Sequence, residues 1–504
     1  MSKFYLTTAI AYVNAPPHVG HALEFVQADA LARYHRLKGD DTYFLTGTDE
    51  HGVKVYETAK KAGIPVQDFA EKNAKIYESL PEILNLSNDD FIKTSSERHK
   101  AGVKKLWKKM FNNGDIYKGV YKGKYCVGCE AFIPDKDLDE EGHCPIHKTE
   151  PKILEEENYF FRLSEYSDRI KKAVENDKLK IIPLSRKNEM LNIIGEEGLH
   201  DVSFSRPKEI LPWGIEVPDD ESQVMYVWCD ALSNYITAVG YESEGEKFKK
   251  YWPCDVHVIG KDILRFHAGI WIGMLMSAEL ALPRSIYVHG FVTSEGHKMS
   301  KSLGNVIDPL EYVKKYGLDP VRYFLLREIP TTDDGDFNHE RFVEVYNSEL
   351  ANGLGNLLNR VVMMTERYVG GKVPELSEGK GILNELEELV GKYMVGFEKF
   401  DIKNACEIII DIVDLGNKYI DEKKPWIMAK EDDEELSEVL YNLLELLRFV
   451  VILLLPILPE TADKVAEQIG IKVEGLSFGD LKWGGLKKGT LIEKGEALFP
   501  RLEE

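Results

Sequence analysis

Residues 15–24 read APPHVGHALE. Two prolines lead straight into His18, Val19, Gly20 and His21, and apolar residues then recur at helical spacing as far as Gly39. The first turn of a helix ordinarily takes Ser, Thr or Asp as its cap, with acidic residues after it. Here it takes two imidazoles and a glycine. Upstream lies FYLTTAIAYV, β-rich and apolar; downstream lies DDTYFLTGTDEHG, again a strand running into a turn. Strand, helix, strand in that order marks an α/β fold with a parallel, doubly wound sheet. The helix start after the first strand of such a sheet faces the ligand crevice. Its free N–H groups and partial positive charge make it an anion site. His18 and His21 are three apart and share a face. Gly20 lacks a Cβ, so something flat can lie against the backbone. Two imidazole donors beside that backbone suit a phosphate.

The chain has 504 residues, which at about 150 per domain predicts three or four domains. Apolar residues make up 43% and charged residues 30%, an ordinary globular balance that can bury sizeable cores. The formal net charge of −21 argues against a generally basic nucleic-acid surface and leaves room only for local strips, such as HKAGVKKLWKKMF. The N-terminus, MSKFYLTTAIAYV, lacks a basic region, a long apolar region and a cleavage site, so no secretory signal is read. The greasiest run, Phe449 to Leu455, is cut by Pro456 and reads as a buried helix, with no membrane partner. Six cysteines do not make a disulfide framework, and a cytoplasmic location is expected.

After the first β–α–β unit comes a helix-rich stretch to about Asn113. The turn-rich GVYKGKYCVGCEAFIPDKDLDEEGHCPIH then reads as an insertion. Parallel-sheet signals resume at VMYVWCDAL, CDVHVIGKDILRFH and SIYVHGFVTSEG. From about Phe337 the pattern is almost purely helical. Inside the insertion, Cys126, Cys129, Cys144 and His147 form two close pairs, C-x2-C and C-x2-H. Such pairs close a tetrahedral Cys3His zinc site with no open position, hence one structural Zn2+. His143 is a rival ligand with poor spacing. Cys229, Cys254 and Cys406 stand alone and read as core. Far along the chain, GHKMSKSLGN is a Gly-flanked loop with two ammonium groups, Lys298 and Lys301, around Met299 and Ser300. Lysine on a flexible stem suits migrating phosphate charge.

HVGH and KMSKS together resemble the paired signatures of the class I aminoacyl-tRNA synthetases. The finer blocks AIAYVNAPPHVGH, TGTDEHG, YVWCDAL, VIGKDILRFH, VHGFVTSEGHKMSKS and KPWIMAK are similar to the methionyl family over nearly the whole chain. The resemblance implies ATP with Mg2+, L-methionine and methionine tRNA, elongator and initiator, as partners. It implies phosphate contacts from His18, His21, Lys298 and Lys301, and an ATP site completed by Gly20, Gly260, Asp262, Val292, Met299 and Ser300. Gly260 and Asp262 would hold the ribose, and the backbone of Val292 the adenine. A pocket for a polarizable thioether should be aromatic with few donors. Tyr12, Trp228, Tyr235, Phe266, His267 and Trp271 fit that description, with Ala9, Ile10 and Ile263 filling between them and Asp49 taking the α-ammonium group. Tyr12 and His267 have polar tips that could approach the sulfur. Arg206 matches a family arginine near the site, with flanking spacing that differs by two residues. Asn356, Arg360 and Trp426 match the residues that read the anticodon.

The implied division is a Rossmann-type catalytic domain at 1–115 and 226–290, a connective insertion with the knuckle at 116–225, the KMSKS loop and stem-contact region at 291–345, and an all-α anticodon-binding bundle at 346–504. The family's C-terminal dimer-forming domain is not read here, so a monomer is expected. Rivals are the Leu, Ile, Val or Cys synthetases and a non-catalytic RNA-binding relative. The insertion is too short for the editing domain of the first three, the knuckle is closed unlike the Cys enzyme's zinc, and both signatures are intact.

Overall fold

The computed structural model describes residues 2–503 apart from 128–130, 134, 147, 299–306 and 331–332. Seven strands build the central sheet: β1 (Lys3–Thr8), β2 (Ala11–Tyr12), β3 (Asp41–Asp49), β4 (Asp90–Lys93), β5 (Lys180–Ile182), β6 (Val256–Gly260) and β7 (Ser285–His289). Every pairing is parallel, and the order across the sheet is β4–β3–β1–β6–β7–β5, with β2 continuing the line of β1. The sheet winds outward in both directions from the boundary of β1 and β6, which is where such sheets bind ligands.

FYLTTAIAYV, read as one strand, is broken. Thr7 faces Leu45 on β3 whereas Ala11 faces Thr48, so one extra residue is taken up between them. The break leaves Ala9 and Ile10 at the mouth of the crevice, as bulges beside active sites do. YVWCDAL departs further from its reading. The strand Asp220–Met225 before it is antiparallel and lies outside the central sheet, and VWCDA is helical. The alternation of large and small apolar residues there satisfies either period, and the buried wall decided for a helix. β5 lies within the stretch read as the insertion, 116–225, yet it returns to edge the central sheet.

Five longer helices and two short ones matter below: α1 (Val19–Lys38), α2 (Glu97–Asn112), α3 (Val227–Ala231), α4 (Asn356–Val369), α5 (Ile402–Lys423), α6 (Pro425–Glu431) and α7 (Leu436–Leu454). α1 stops where Gly39 takes φ 91°, a left-handed C-terminal cap. The insertion is an antiparallel ribbon of Ile116–Cys126 against Lys152–Phe161. The HKAGVKKLWKKMF strip lies on α2. Its Lys100, Lys105, Lys108 and Lys109 each pair with an acidic side chain (Glu97, Glu244, Asp219 and Glu279), so that face is a salt-bridged surface. No described helix is long and apolar enough to cross a membrane. The apolar run from Phe449 is buried in α7.

Two cores flank the sheet. One fills the space behind α2 and the insertion. The other runs without interruption from Leu6 and α1 through Leu318 and Phe324 into α4, α5 and α7. Tyr34 of α1 stacks on Phe397 at 4.5 Å between ring centroids, joining the sheet layer to the helical layer directly.

Candidate active site

The two histidines of HVGH form the cap of α1. His18 has extended backbone angles, and its Nδ1 accepts the Gly20 N–H at 3.1 Å. In return the His18 N–H donates to Nδ1 of His21 at 3.2 Å. This is a capping box with imidazoles in place of Ser and Glu. Because each Nδ1 accepts, each neutral ring carries its proton on Nε2. Burial lowers the His18 pKa, and burial with the neighbouring His18 lowers His21 to about 3, so both rings are neutral at pH 7. Each therefore offers one N–H donor at a helix N-terminus. Gly20 serves this arrangement in a way the sequence did not suggest: a Cβ there would lie 2.9 Å from Cε1 of His18. The flat group against its backbone is the His18 ring.

A cavity of about 460 Å³ opens at the switch point. Ala9, Ile10, Tyr12, His18, His21, Asp49, Trp228, Tyr235, Asp262, Ile263, Phe266 and His267 all line it, gathered from the break after β1, from β2 and β3, the start of α1, α3, the short helix Asn234–Thr237 and the segment after β6. Trp228 stacks on Phe266 at 3.8 Å. His267 lies in a π-helical turn, Phe266–Trp271, of the kind that marks functional sites. Its Nδ1 donates to the Ile263 carbonyl at 3.0 Å, which leaves Nε2 to accept the Tyr235 hydroxyl at 2.7 Å. Burial lowers His267 to about 4, so it too is neutral. Asp49 ends β3, is buried, and has Thr94 Oγ1 within 3.5 Å. Gly260 ends β6 beneath Asp262, whose Oδ1 would be 2.9 Å from a Cβ.

The remaining expected residues sit elsewhere. Val292 is buried on a short strand, Val292–Ser294, and is not among the residues that line the cavity. Trp271 is fully buried behind the pocket, donating to Nε2 of His257 at 3.3 Å. Lys298 ends the strand His297–Lys298, and Met299, Ser300 and Lys301 lie outside the described residues. Arg206 does not line the cavity; it is buried in the insertion, bonded to Glu156 and over the Tyr125 ring at 4.3 Å. On the helical layer, Asn356 opens α4 and is exposed, Arg360 reaches Asp421 at 2.6 Å, and Trp426 on α6 is 38% exposed.

Sequence reasoning missed several lining groups. Lys54 and Arg265 bring cations into the cavity, and Asn14 and Asn234 bring amides. Glu24, one turn after His21 on an otherwise apolar face, pairs with His289 at 3.0 Å. An acid among buried apolar positions was the available signal.

At the knuckle, Cys126 and Cys144 are buried in one small cluster with Ile133, and Leu138 packs on it. Among the described residues that cluster is too small to be a self-sufficient core, which is the situation a metal cross-link resolves. Cys129 and His147 lie outside the described residues. The rival, His143, has its Nδ1 3.4 Å from Glu141. Ile146, between Cys144 and His147, lines the active cavity, so the knuckle forms part of its wall.

A Rossmann sheet with a doubly histidine-capped helix at its switch point and a helical layer behind, in a chain whose sequence carries KMSKS after the last sheet strand, defines a class I aminoacyl-tRNA synthetase. Residues 4–150 and 138–362 match the family described as tRNA synthetases class I (M), and residues 370–504 match the anticodon binding domain of methionyl tRNA ligase. The chain belongs to the methionyl-tRNA synthetase family. It is 46% identical to a methionine–tRNA ligase of Caldanaerobacter subterraneus subsp. tengcongensis over 99% of this chain and 79% of the relative. It is 43% identical to that of Brucella suis biovar 1 over 100% of this chain and 98% of the relative. The solved Mycobacterium tuberculosis methionyl-tRNA synthetase in complex with methionyl-adenylate superposes with a TM-score of 0.95, at 40% identity, covering 99% of this chain and 100% of that one.

Proposed function

We infer that this chain is a methionine–tRNA ligase. It activates L-methionine with ATP to methionyl-adenylate and transfers the methionyl group to the terminal ribose of methionine tRNA. The observation that carries the reading is the single cavity in which the α1 histidines meet the aromatic pocket and Asp49. The Asp49 carboxylate takes the α-ammonium group, and Tyr12, Trp228, Tyr235, Phe266 and His267 enclose the thioether, whose polarizable sulfur favours aromatic edges. With the amino acid so fixed, its carboxylate attacks the α-phosphate in line and pyrophosphate leaves. The tRNA ribose hydroxyl then attacks the acyl carbonyl and AMP leaves. No side chain becomes a covalent nucleophile, so catalysis is positioning and charge stabilisation. The Nε2–H groups of His18 and His21, with Lys298 and Lys301, meet the developing phosphate charge, and Asp262 with Gly260 holds the ribose. Mg2+ accompanies ATP.

Cys126, Cys129, Cys144 and His147 would hold one Zn2+, which in a closed site supplies a cross-link and no chemistry. Residues 1–115 and 226–290 serve as catalytic halves, 116–225 as connective insertion, 291–345 as loop and stem contact, and 346–504 as anticodon reader. Asn356 and Arg360 would read base edges while Trp426 stacks a splayed base.

Methionine-dependent ATP–pyrophosphate exchange tests the activity against the Leu, Ile, Val and Cys alternatives; exchange driven by one of those amino acids instead rejects it. Lys301→Ala should slow adenylate formation about 100- to 1000-fold with methionine affinity little changed. A raised methionine KM at an unaltered rate would assign that lysine to binding alone.

A further inference from the structure

Behind the methionine cavity lies a buried charged array that the mechanism above does not use. Asp230 is fully buried on α3. Its Oδ2 accepts from Nδ1 of His51 at 2.6 Å, and its Oδ1 accepts from Nε2 of His99 at 2.7 Å. The other nitrogen of His99 bonds the Thr237 hydroxyl at 2.8 Å. Both rings are buried. Burial alone would raise the Asp230 pKa, but the two histidines hold it down at about 2, so the hub is a carboxylate. A buried charge is commonly replaceable by apolar residues at no loss of stability, so its presence calls for a role beyond the core.

The array's position supplies that role. His51 stands two residues after Asp49, and its backbone N–H lies 3.4 Å from the Asp49 carboxylate. Asp230 sits on the same short helix as Trp228 and Ala231, which line the cavity from the opposite side. His99 ties both to α2. Trp213 packs edge-on to His51 at 5.3 Å and donates to the Glu50 carbonyl, closing the turn from outside. Three segments that are distant in the chain thus meet at one carboxylate, one of them carrying Asp49 and another the aromatic wall.

We propose that His51, Asp230 and His99 are positioning residues for methionine activation, fixing Asp49 against the Trp228 wall and so setting where the α-ammonium group docks. This rests on Asp49 as the ammonium partner. None of His51, His99 and Asp230 lines the cavity itself. Trp228 remains held by its stacking on Phe266 at 3.8 Å, so loss of the array acts on methionine binding through the amine at Asp49, and misplacement by an ångström costs on the order of 10- to 100-fold.

The test is ATP–pyrophosphate exchange on the full chain with methionine and ATP titrated separately. Asp230→Asn and His51→Leu should raise the methionine KM about tenfold or more, with the ATP KM within about twofold of its starting value. His51→Asn keeps a donor near the Nδ1 position and should restore most of the loss. 4-Methylthiobutyrate, which lacks the amine, should inhibit the unsubstituted and Asp230→Asn proteins with equal affinity. An unchanged methionine KM in the folded variants, KM values that rise together, or an equal loss of affinity for the amine-free analogue would overturn the proposal. If Asp230→Asn fails to fold, the two His51 variants decide it. Absence of methionine-dependent exchange in the unsubstituted protein would instead reject the activity itself.

Discussion

His18 and His21 do two jobs with two nitrogens each. Nδ1 satisfies a backbone donor that every helix start leaves open, and Nε2–H faces the cavity. Serine would cap as well, but its hydroxyl lies against the backbone and reaches less far outward, and glutamate would present a negative acceptor instead of a donor. The dependence on Gly20 follows: Gly20→Ala would push the His18 ring by its 2.9 Å contact with Cε1. We expect adenylate formation to slow at least tenfold with methionine affinity retained. Rapid-quench exchange set beside equilibrium dialysis would show this, and a full rate with the alanine in place would refute it.

At the scale of elements, the knuckle and α6 are the separable parts. Among the described residues, Cys126 and Cys144 share their cluster with Ile133 and Leu138. Cys126→Ser should release one zinc per chain and loosen the insertion while the central sheet keeps its fold. Because Ile146 lines the cavity, methionine activation should also weaken. Elemental analysis of protein purified without chelators is the first check; no zinc there ends the assignment. α6 begins where Lys424 caps α5 in the left-handed region, with φ 51°, and Pro425 restarts the chain. That turn leaves Trp426 38% exposed, too open for a core anchor. Trp426→Ala should leave tRNA-free exchange and the melting temperature nearly unchanged. The tRNA KM should rise by what stacking supplies, about 1–3 kcal/mol per base. Equal loss of exchange and aminoacylation with a lowered melting temperature would make Trp426 structural after all.

Across the whole molecule, the continuous core means the helical layer and the sheet are not independent bodies. Arg322, fully buried, ties three of their segments together. It bonds Asp29 of α1 at 2.8 Å, the Leu84 carbonyl at 3.0 Å and the Ile457 carbonyl after α7 at 3.0 Å. Burial alone would raise Asp29, but Arg322 and Arg33 keep it below its usual range. Arg322→Ala leaves Asp29 with Arg33 and Ser87 but removes the donors to the Leu84 and Ile457 carbonyls, and should cost about 1–3 kcal/mol. Melts followed by tryptophan fluorescence and by circular dichroism should shift down together; separate transitions would mean that the layers unfold apart. Acid acts through the buried histidines. His21 at about 3 and His267 at about 4 titrate below the ordinary 6.5, so the unfolded chain binds more protons between those values. Stability therefore falls as the pH drops below about 6.5, by about 2 kcal/mol at pH 5 for His267 alone. His289, raised by Glu24 against the effect of burial, contributes with the opposite sign. A melting temperature unchanged from pH 7 to pH 5 would refute this balance.

The sequence by itself determined the β–α–β entry, the extent of α1, the helical second half and about half of the residues that line the cavity. These are legible because periodicity, caps and motif residues are local. The tertiary structure alone decided that Ala9 and Ile10 bulge from the ladder and that VWCDA is a helix. It also decided that β5 rejoins the sheet, that the His18 ring requires Gly20, and that Lys105, Lys108 and Lys109 of α2 pair with acids from elsewhere. The pairing of Glu24 with His289, and of Asp230 with His51 and His99, was likewise decided by the tertiary structure. Each is a buried pair or triad assembled from segments with no sequence relation, and only packing brings their charges within hydrogen-bond reach.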